Sequence, residues 1–376
     1  MAPLNPLLPF LGGDQGNTLS TVLSMLMYMS FILFIFFGQK IQARMMLWEI
    51  AGTLKKIEFT RNEAKQQTLK TIREIGKPKD DPTPRLNSLM DQFMIQPVNL
   101  DPAGIVWKLD HLLNVRDFKF KKDVKAIAPE ASDVQVNNLE NLVEVSMVLN
   151  IIFKVVRHFY LLGKKTSSFY IILQLQMLLP LIMQEVEALV GAVKAFSEGH
   201  PIGDGIGALV ALKLMGKGDR RKMEKDIVVA ETTLDGRRIL ALKAEGPGAN
   251  VGKPGDAIRR LIEENDGKIA MVIMVDAALK FEGENAGEVS EGIGAAIGGP
   301  GTERFKIEEE VLKFKIPVYA VIIKQSIQDA ITGMKKEICD AAETAITRIK
   351  SLISEHTSEG DSVIVAGIGN TVGIGQ

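Results

Sequence analysis

Two aspartates stand where an α/β fold would place chemistry. Asp256 opens a helix after the glycine-rich turn EGPGANVGKPG, and Asp276 closes the apolar run KIAMVIMVD, which reads as a strand buried on both faces. In a parallel sheet both carboxylates can meet at one edge. Two carboxylates within about 3 Å cannot both ionise easily, so one is held as an acid while the other activates water as a base. Other candidate binding residues surround them. The glycine turn supplies Gly248, Asn250 and Lys253. The stretch SEGIGAAIGGPGTERF, residues 290–305, holds Glu291, Gly298, Gly299 and Arg304, and it is long enough to act as a lid or binding loop. Lys324 follows the next strand, Asn370 sits in a C-terminal GIGN, and Asp204 lies in GDGIG at a helix start. Each charged residue has a plainer reading too. Asp256 suits a helix dipole, Asp276 a strand-end turn, Asp204 a cap between domains, and Glu291 with Arg304 a surface ion pair.

Several chemistries find no support in the chain. The glycine turn is not a phosphate-binding P-loop, because Pro247 occupies the first glycine position and Lys253 is followed by Pro254. The C-terminal GIGNTVGIG has Val372 at the third glycine position of a dinucleotide fingerprint, and no helix or acidic residue follows it. No cofactor is expected. His111, His158, His200 and His356 are scattered without ligand spacing, and the one cysteine, Cys339, can form neither an internal disulfide nor a cysteine zinc cluster, so no metal is expected. A net charge of -1 gives no polyanion footprint, which argues against nucleic acid as a partner.

The elements that must position these residues follow from periodicity. Leu19 to Phe37 is nineteen residues without a charge, enough at 1.5 Å per residue to cross a hydrocarbon core of about 30 Å. No basic residue precedes it, while Lys40, Arg44, Lys55, Lys56 and Arg61 follow, so residues 1–18 are expected outside and the body on the cytoplasmic side of a single-pass cell-membrane protein. Residues 38–85 read as a juxtamembrane helix stopped by the prolines of KPKDDPTPR. The region 86–199 reads as helical: Leu86 to Met94, then Pro102 to Leu113 with Asp101 as its cap, then two long helices over 132–163 and 166–198. Phe169 to Met183 is apolar but interrupted by Gln174, Gln176 and Pro180, which favours a bundle helix over a second crossing. The broad apolar faces of this pair predict a homo-oligomer.

From 200 to 376 the texture changes to a domain of strands alternating with helices. A hairpin turns at Asp235-Gly236, a helix covers 255–264, strands cover 268–279 and 316–323, one long helix runs from about Ser326 to Glu355, and DSVIVAGIGN forms a last strand. This pattern predicts a three-layer α/β domain with its sites beyond the carboxyl ends of the strands.

Residues Gly246 to Ile331 resemble the α/β domain shared by spore germination proteases and hydrogenase maturation proteases. The likeness rests on Pro254-Gly255-Asp256-Ala257-Ile258, on Val275-Asp276-Ala277, on the glycines from Gly292 to Gly301, and on Ile316-Pro317-Val318. It implies a phosphorylase/hydrolase-like fold and carries the two catalytic aspartates of the germination proteases onto Asp256 and Asp276. The GIGN and GDGIG of the maturation proteases are similar to Gly367-Ile368-Gly369-Asn370 and to Gly203 to Gly207, in rearranged order, and the metal-sensing histidine has no counterpart in 280–330. The whole chain also resembles an uncharacterised archaeal family with an N-terminal membrane anchor. The expectation is therefore a membrane-anchored aspartate-dyad hydrolase, with a non-catalytic membrane scaffold or a ligand sensor of enzyme-like fold as the alternative.

Overall fold

The computed structural model describes residues 18–98 and 104–376. Helix α1 (Thr18–Thr71) is continuous over 54 residues, so the expected span and stalk share one rod of roughly 81 Å. It ends in a π-helical turn, Ile72–Gly76, and a left-handed Lys77 with φ of 41°. Helix α2 (Thr83–Met90) starts earlier than expected, because Pro84 is tolerated in a first turn. Helix α3 (Ile105–Ile127) is longer than expected, with Phe120, Val124 and Ile127 prolonging its buried stripe; the Asp101 cap lies outside the described residues. Helix α4 (Asp133–Thr166) opens with a capping box. The Ser132 N–H donates to Gln135 Oε1 at 2.9 Å, and the Gln135 N–H donates to Ser132 Oγ at 3.3 Å. Helix α5 (Phe169–Glu198) carries Pro180 within it.

The chain divides into two compact units, Met1–Lys55 with Val155–Pro180, and Lys56–Lys154 with Leu181–Gln376. In the first unit Ala43, Met46, Ile50 and Ile172 are buried, and Gln176 Nε2 donates to Glu49 Oε2 at 2.6 Å. By length and composition α4 and α5 are long and apolar enough to cross a membrane, and Thr21–Ile32 is a shorter apolar stretch.

The second unit contains the α/β region. A turn at Gly203–Gly205 leads into α6 (Ile206–Met215), followed by strands β1 (Arg220–Lys222), β2 (Ile227–Leu234) and β3 (Arg237–Ala244). Then come α7 (Pro254–Glu264), β4 (Met271–Leu279), β5 (Val289–Ile293), α8 (Thr302–Phe314) and β6 (Val318–Gln325). Helices α9 (Ile327–Ile331) and α10 (Lys336–His356) and strand β7 (Ser362–Gly367) complete the chain. The sheet is mixed, in the order β1-β2-β3-β7-β4-β6-β5. Strands β3, β7, β4 and β6 run parallel, while the β2–β3 hairpin and β5 add antiparallel edges. Helices α7 and α8 cover one face, burying Ile258, Leu261, Ile307 and Val311; α6 and α10 cover the other, burying Ile206, Val210, Ala345 and Ile349.

Two expectations change here. Residues 290–305 are not all loop, since Val289–Ile293 pairs with β6 as an edge strand. The helix expected over Ser326 to Glu355 breaks between α9 and α10. There the Met334 N–H donates to Pro201 O at 2.8 Å and Thr332 O accepts from the Gly203 N–H at 3.2 Å, so this backbone satisfies the Asp204 turn instead of a helix.

Candidate functional site

The turn Gly203-Asp204-Gly205-Ile206-Gly207 uses glycine at every second position because the backbone beneath leaves no room for side chains. A Cβ on Gly207 would stand 2.2 Å from Val275 O and 2.3 Å from Ile368 O, and one on Gly205 would stand 2.6 Å from Asn370 O. On the facing segment, Gly369 has φ of 120° and its Cβ would reach to 1.9 Å from Asp204 O. The turn is therefore seated on the carboxyl ends of β4 and β7. Asp204 Oδ2 accepts the Asn370 N–H at 2.8 Å, and burial pushes the Asp204 carboxyl up.

Asp276 is the sixth of nine residues in β4, which runs on beside β6 to Leu279 and not, as expected, only to Asp276; it lies level with the end of β7, where the Ile368 N–H donates to Val275 O at 2.8 Å. It is 7% exposed, and its Oδ1 accepts the Ala277 N–H at 2.8 Å. Its carboxyl is pushed up to about 8, first by burial and then by the charge of neighbouring Asp204, against the pull of the Ala277 and Gly298 N–H groups and the Arg304 guanidinium. The neighbouring carboxylate of Asp276 is thus Asp204.

Asp256 is engaged elsewhere. Its carboxylate accepts from Lys306 Nζ at 3.0 Å and from Arg259 Nη2 at 3.1 Å. Lys306, 2% exposed, also reaches Asp110 at 3.1 Å and Glu303 at 3.0 Å, and Lys253 lies 3.7 Å from Asp110 and 3.8 Å from Glu303. Glu303 Oε2 in turn accepts the Gly255 N–H at 2.8 Å. This buried network ties α3, α7 and α8 together, because each buried charge needs an opposite one beside it. Trp107 packs edge-on against Phe305 next to it, with centroids 5.9 Å apart.

Asp204 and Asp276 open into a cavity of about 550 Å³. Among the expected binding residues, Asn250, Lys253, Gly298, Gly299 and Asn370 line it. Gly248 serves to admit α4, since a Cβ there would stand 3.2 Å from Asn137 Nδ2. Arg304 Nη2 donates to Ile297 O at 2.8 Å and so braces the glycine loop. Glu291 instead pairs with Arg348 at 3.3 Å, and Lys324 pairs with Glu284 at 2.6 Å and Glu288 at 2.8 Å. Neither of these two lines the cavity.

The other wall comes from α3 and α4, which sequence reasoning did not connect to the site. Asn138 Oδ1 accepts the Ala249 N–H at 2.8 Å, and Asn141 Nδ2 donates to Ala249 O at 3.1 Å. Asn141 Oδ1 accepts from Asn370 Nδ2 at 3.1 Å, which links α4 to the residue that holds Asp204. Glu140, beside Asn141, also lines the cavity, and burial pushes its carboxyl up to about 7. A signal was present: Asn137, Asn138, Glu140, Asn141 and Glu144 put polar groups at helical spacing on a helix otherwise rich in apolar residues.

These features define a mixed-sheet α/β domain with a buried Asp276 and a half-buried Asp204 meeting at one edge of its parallel strands, walled on one side by helices from the N-terminal half. The chain belongs to the DUF1512 family. Residues 24–199 match "Protein of unknown function (DUF1512) N-terminal domain" and residues 202–375 match "Domain of unknown function (DUF1512) C-terminal". No curated protein matches the sequence. The cavity draws its walls from both matched regions.

Proposed function

We propose that the protein is a membrane-tethered hydrolase of amide or peptide bonds in which Asp204 and Asp276 act as an acid/base pair. The observation that carries this reading is the pairing of a buried Asp276 with a half-buried Asp204, each carboxyl pushed up, at one wall of a cavity large enough for a small substrate. One carboxyl keeps its proton near neutral pH and protonates the leaving group; the other takes a proton from attacking water. The resemblance to germination proteases supports a two-aspartate chemistry, with Asp204 in the role first given to Asp256. The tether is the apolar start of α1, with the second unit on the cytoplasmic side.

The test is a peptide-library cleavage screen with the purified full chain. Asp276→Asn and Asp204→Asn are each expected to lose about 100-fold or more in rate while remaining folded; an Asp276→Asn protein of undiminished activity would sink the pair. A second reading, a membrane-bound assembly of several copies, is favoured by the exposed apolar side chains Ile151, Val155, Phe159, Met177 and Leu181 on α4 and α5.

A further inference from the structure

The cavity wall opposite the strand ends holds an acceptor with nothing to accept. Glu140 Oε1 is buried and, among the described residues, has no hydrogen-bond partner. Leaving a buried carboxylate oxygen unmatched is costly, and such an atom at a cavity wall calls for a donor from outside the chain. The neighbouring bases each have a hydrogen-bond or ion-pair partner other than Glu140, although the Lys121 charge still acts on it. Arg116 pairs with Glu144 and lies 3.6 Å from Asp117, Lys121 Nζ donates to Asn137 Oδ1 at 2.9 Å, and Lys253 sits between Asp110 and Glu303. The remaining base, Lys225, is exposed at the rim. The interior therefore presents a ligand with the carboxyl groups of Glu140, Asp204 and Asp276, and among the described residues no lysine or arginine inside it is left without another partner. Among the described residues no group of three or more His, Cys, Asp or Glu can hold a metal ion, and about 550 Å³ suits an organic ligand.

We propose that Glu140 is the subsite for a protonated amine, so that the cavity takes substrates with a free ammonium group held on α4 while the bond to be cleaved lies at Asp204 and Asp276. The placement of the cleaved bond rests on the hydrolase reading; the amine subsite does not. The Asn141–Asn370–Asp204 chain of hydrogen bonds sets the register between the two walls. Lys121 and Asp117 on α3, Glu144 on α4 and Lys225 before β2 face Glu140. With its carboxyl raised to about 7, ammonium binding drives its proton off, and affinity rises with pH through neutrality.

The experiment is isothermal titration calorimetry of the full chain with alanine amide and with N-acetylalanine amide, between pH 6 and 8. Alanine amide is expected to bind more tightly at pH 8 than at pH 6, and acetylation or Glu140→Gln is expected to weaken binding about ten- to hundredfold. The melting temperature of Glu140→Gln, unchanged or raised, shows that the variant is folded. Equal binding of the two probes, no binding of either, or an indifferent Glu140→Gln protein each overturns the subsite. Amine binding that survives in Asp276→Asn, in a protein that cleaves no peptide, rejects the hydrolase reading alone. Cleavage of N-blocked peptides without preference for free amines rejects the subsite alone.

Discussion

Asp276 carries a pH signature at the scale of a single residue. Its carboxyl titrates at about 8 in the folded chain, against 3.8 for an ordinary aspartate. A raised folded value means that the neutral form is the one the fold tolerates. The stability it contributes is fully present below about pH 4 and is lost as pH rises through 8, at about 1.4 kcal/mol for each pH unit climbed between those values. An asparagine at this position stays neutral throughout. Asp276→Asn is therefore expected to match the native chain near pH 4.5 and to exceed it by a few kcal/mol near pH 8.5. Thermal melts across that range check this, and a gap that does not change with pH would show that Asp276 is ionised throughout. Its burial beside an apolar run was readable in KIAMVIMVD, although the strand itself continues to Leu279. The identity of its neighbour was not, because Asp204 is 72 positions earlier in the chain and arrives only through the docking of another helix.

Among the elements, α6 decides whether the site exists. Its second residue, Gly207, lies directly over the carbonyls of Val275 and Ile368. Two effects oppose each other in Gly207→Ala. Alanine favours an exposed helix interior by about 1 kcal/mol over glycine. The added methyl would sit 2.2 Å from one backbone oxygen and 2.3 Å from another, and neither can rotate away as a side chain would. Overpacking of this kind costs about 3 kcal/mol or more where backbone must shift, so the clash wins. Gly207→Ala is expected to lower stability by about 2 kcal/mol or more, measured by urea unfolding, and to return the Asp276 titration toward the ordinary range as the displaced turn uncovers Asp276 and withdraws Asp204. Wild-type stability in that variant would mean that α6 does not bear on the strand ends. The glycine spacing of GDGIG marked a tight turn from sequence; only the packed sheet shows what the turn is tight against.

At the scale of the whole molecule, charge is unevenly shared. Met1–Lys55 with Val155–Pro180 carries Lys40, Arg44, Lys55, Arg157, Lys164 and Lys165 against Asp14 and Glu49, in a chain of net charge -1. If the chain is tethered as proposed, this basic unit suits an anionic lipid surface, where each nearby Lys or Arg contributes about 1 kcal/mol. The full chain is expected to stay in the membrane pellet through an alkaline carbonate wash and, after mild detergent extraction, to show more than one copy by light scattering. Release by carbonate would remove the span, and a monomer would remove the assembly. The apolar periods of the strands, the glycine turns and the -1 balance are local properties, each spanning a few residues or none in particular, and they could be read along the chain. Folding alone brought Asp204 to the end of β4, gave Asp256 to Lys306, and laid Asn141 on Asn370 across 229 positions. Propensity and periodicity act within a turn or two of chain, whereas a buried carboxylate takes its role from whichever charge the packed helices set beside it.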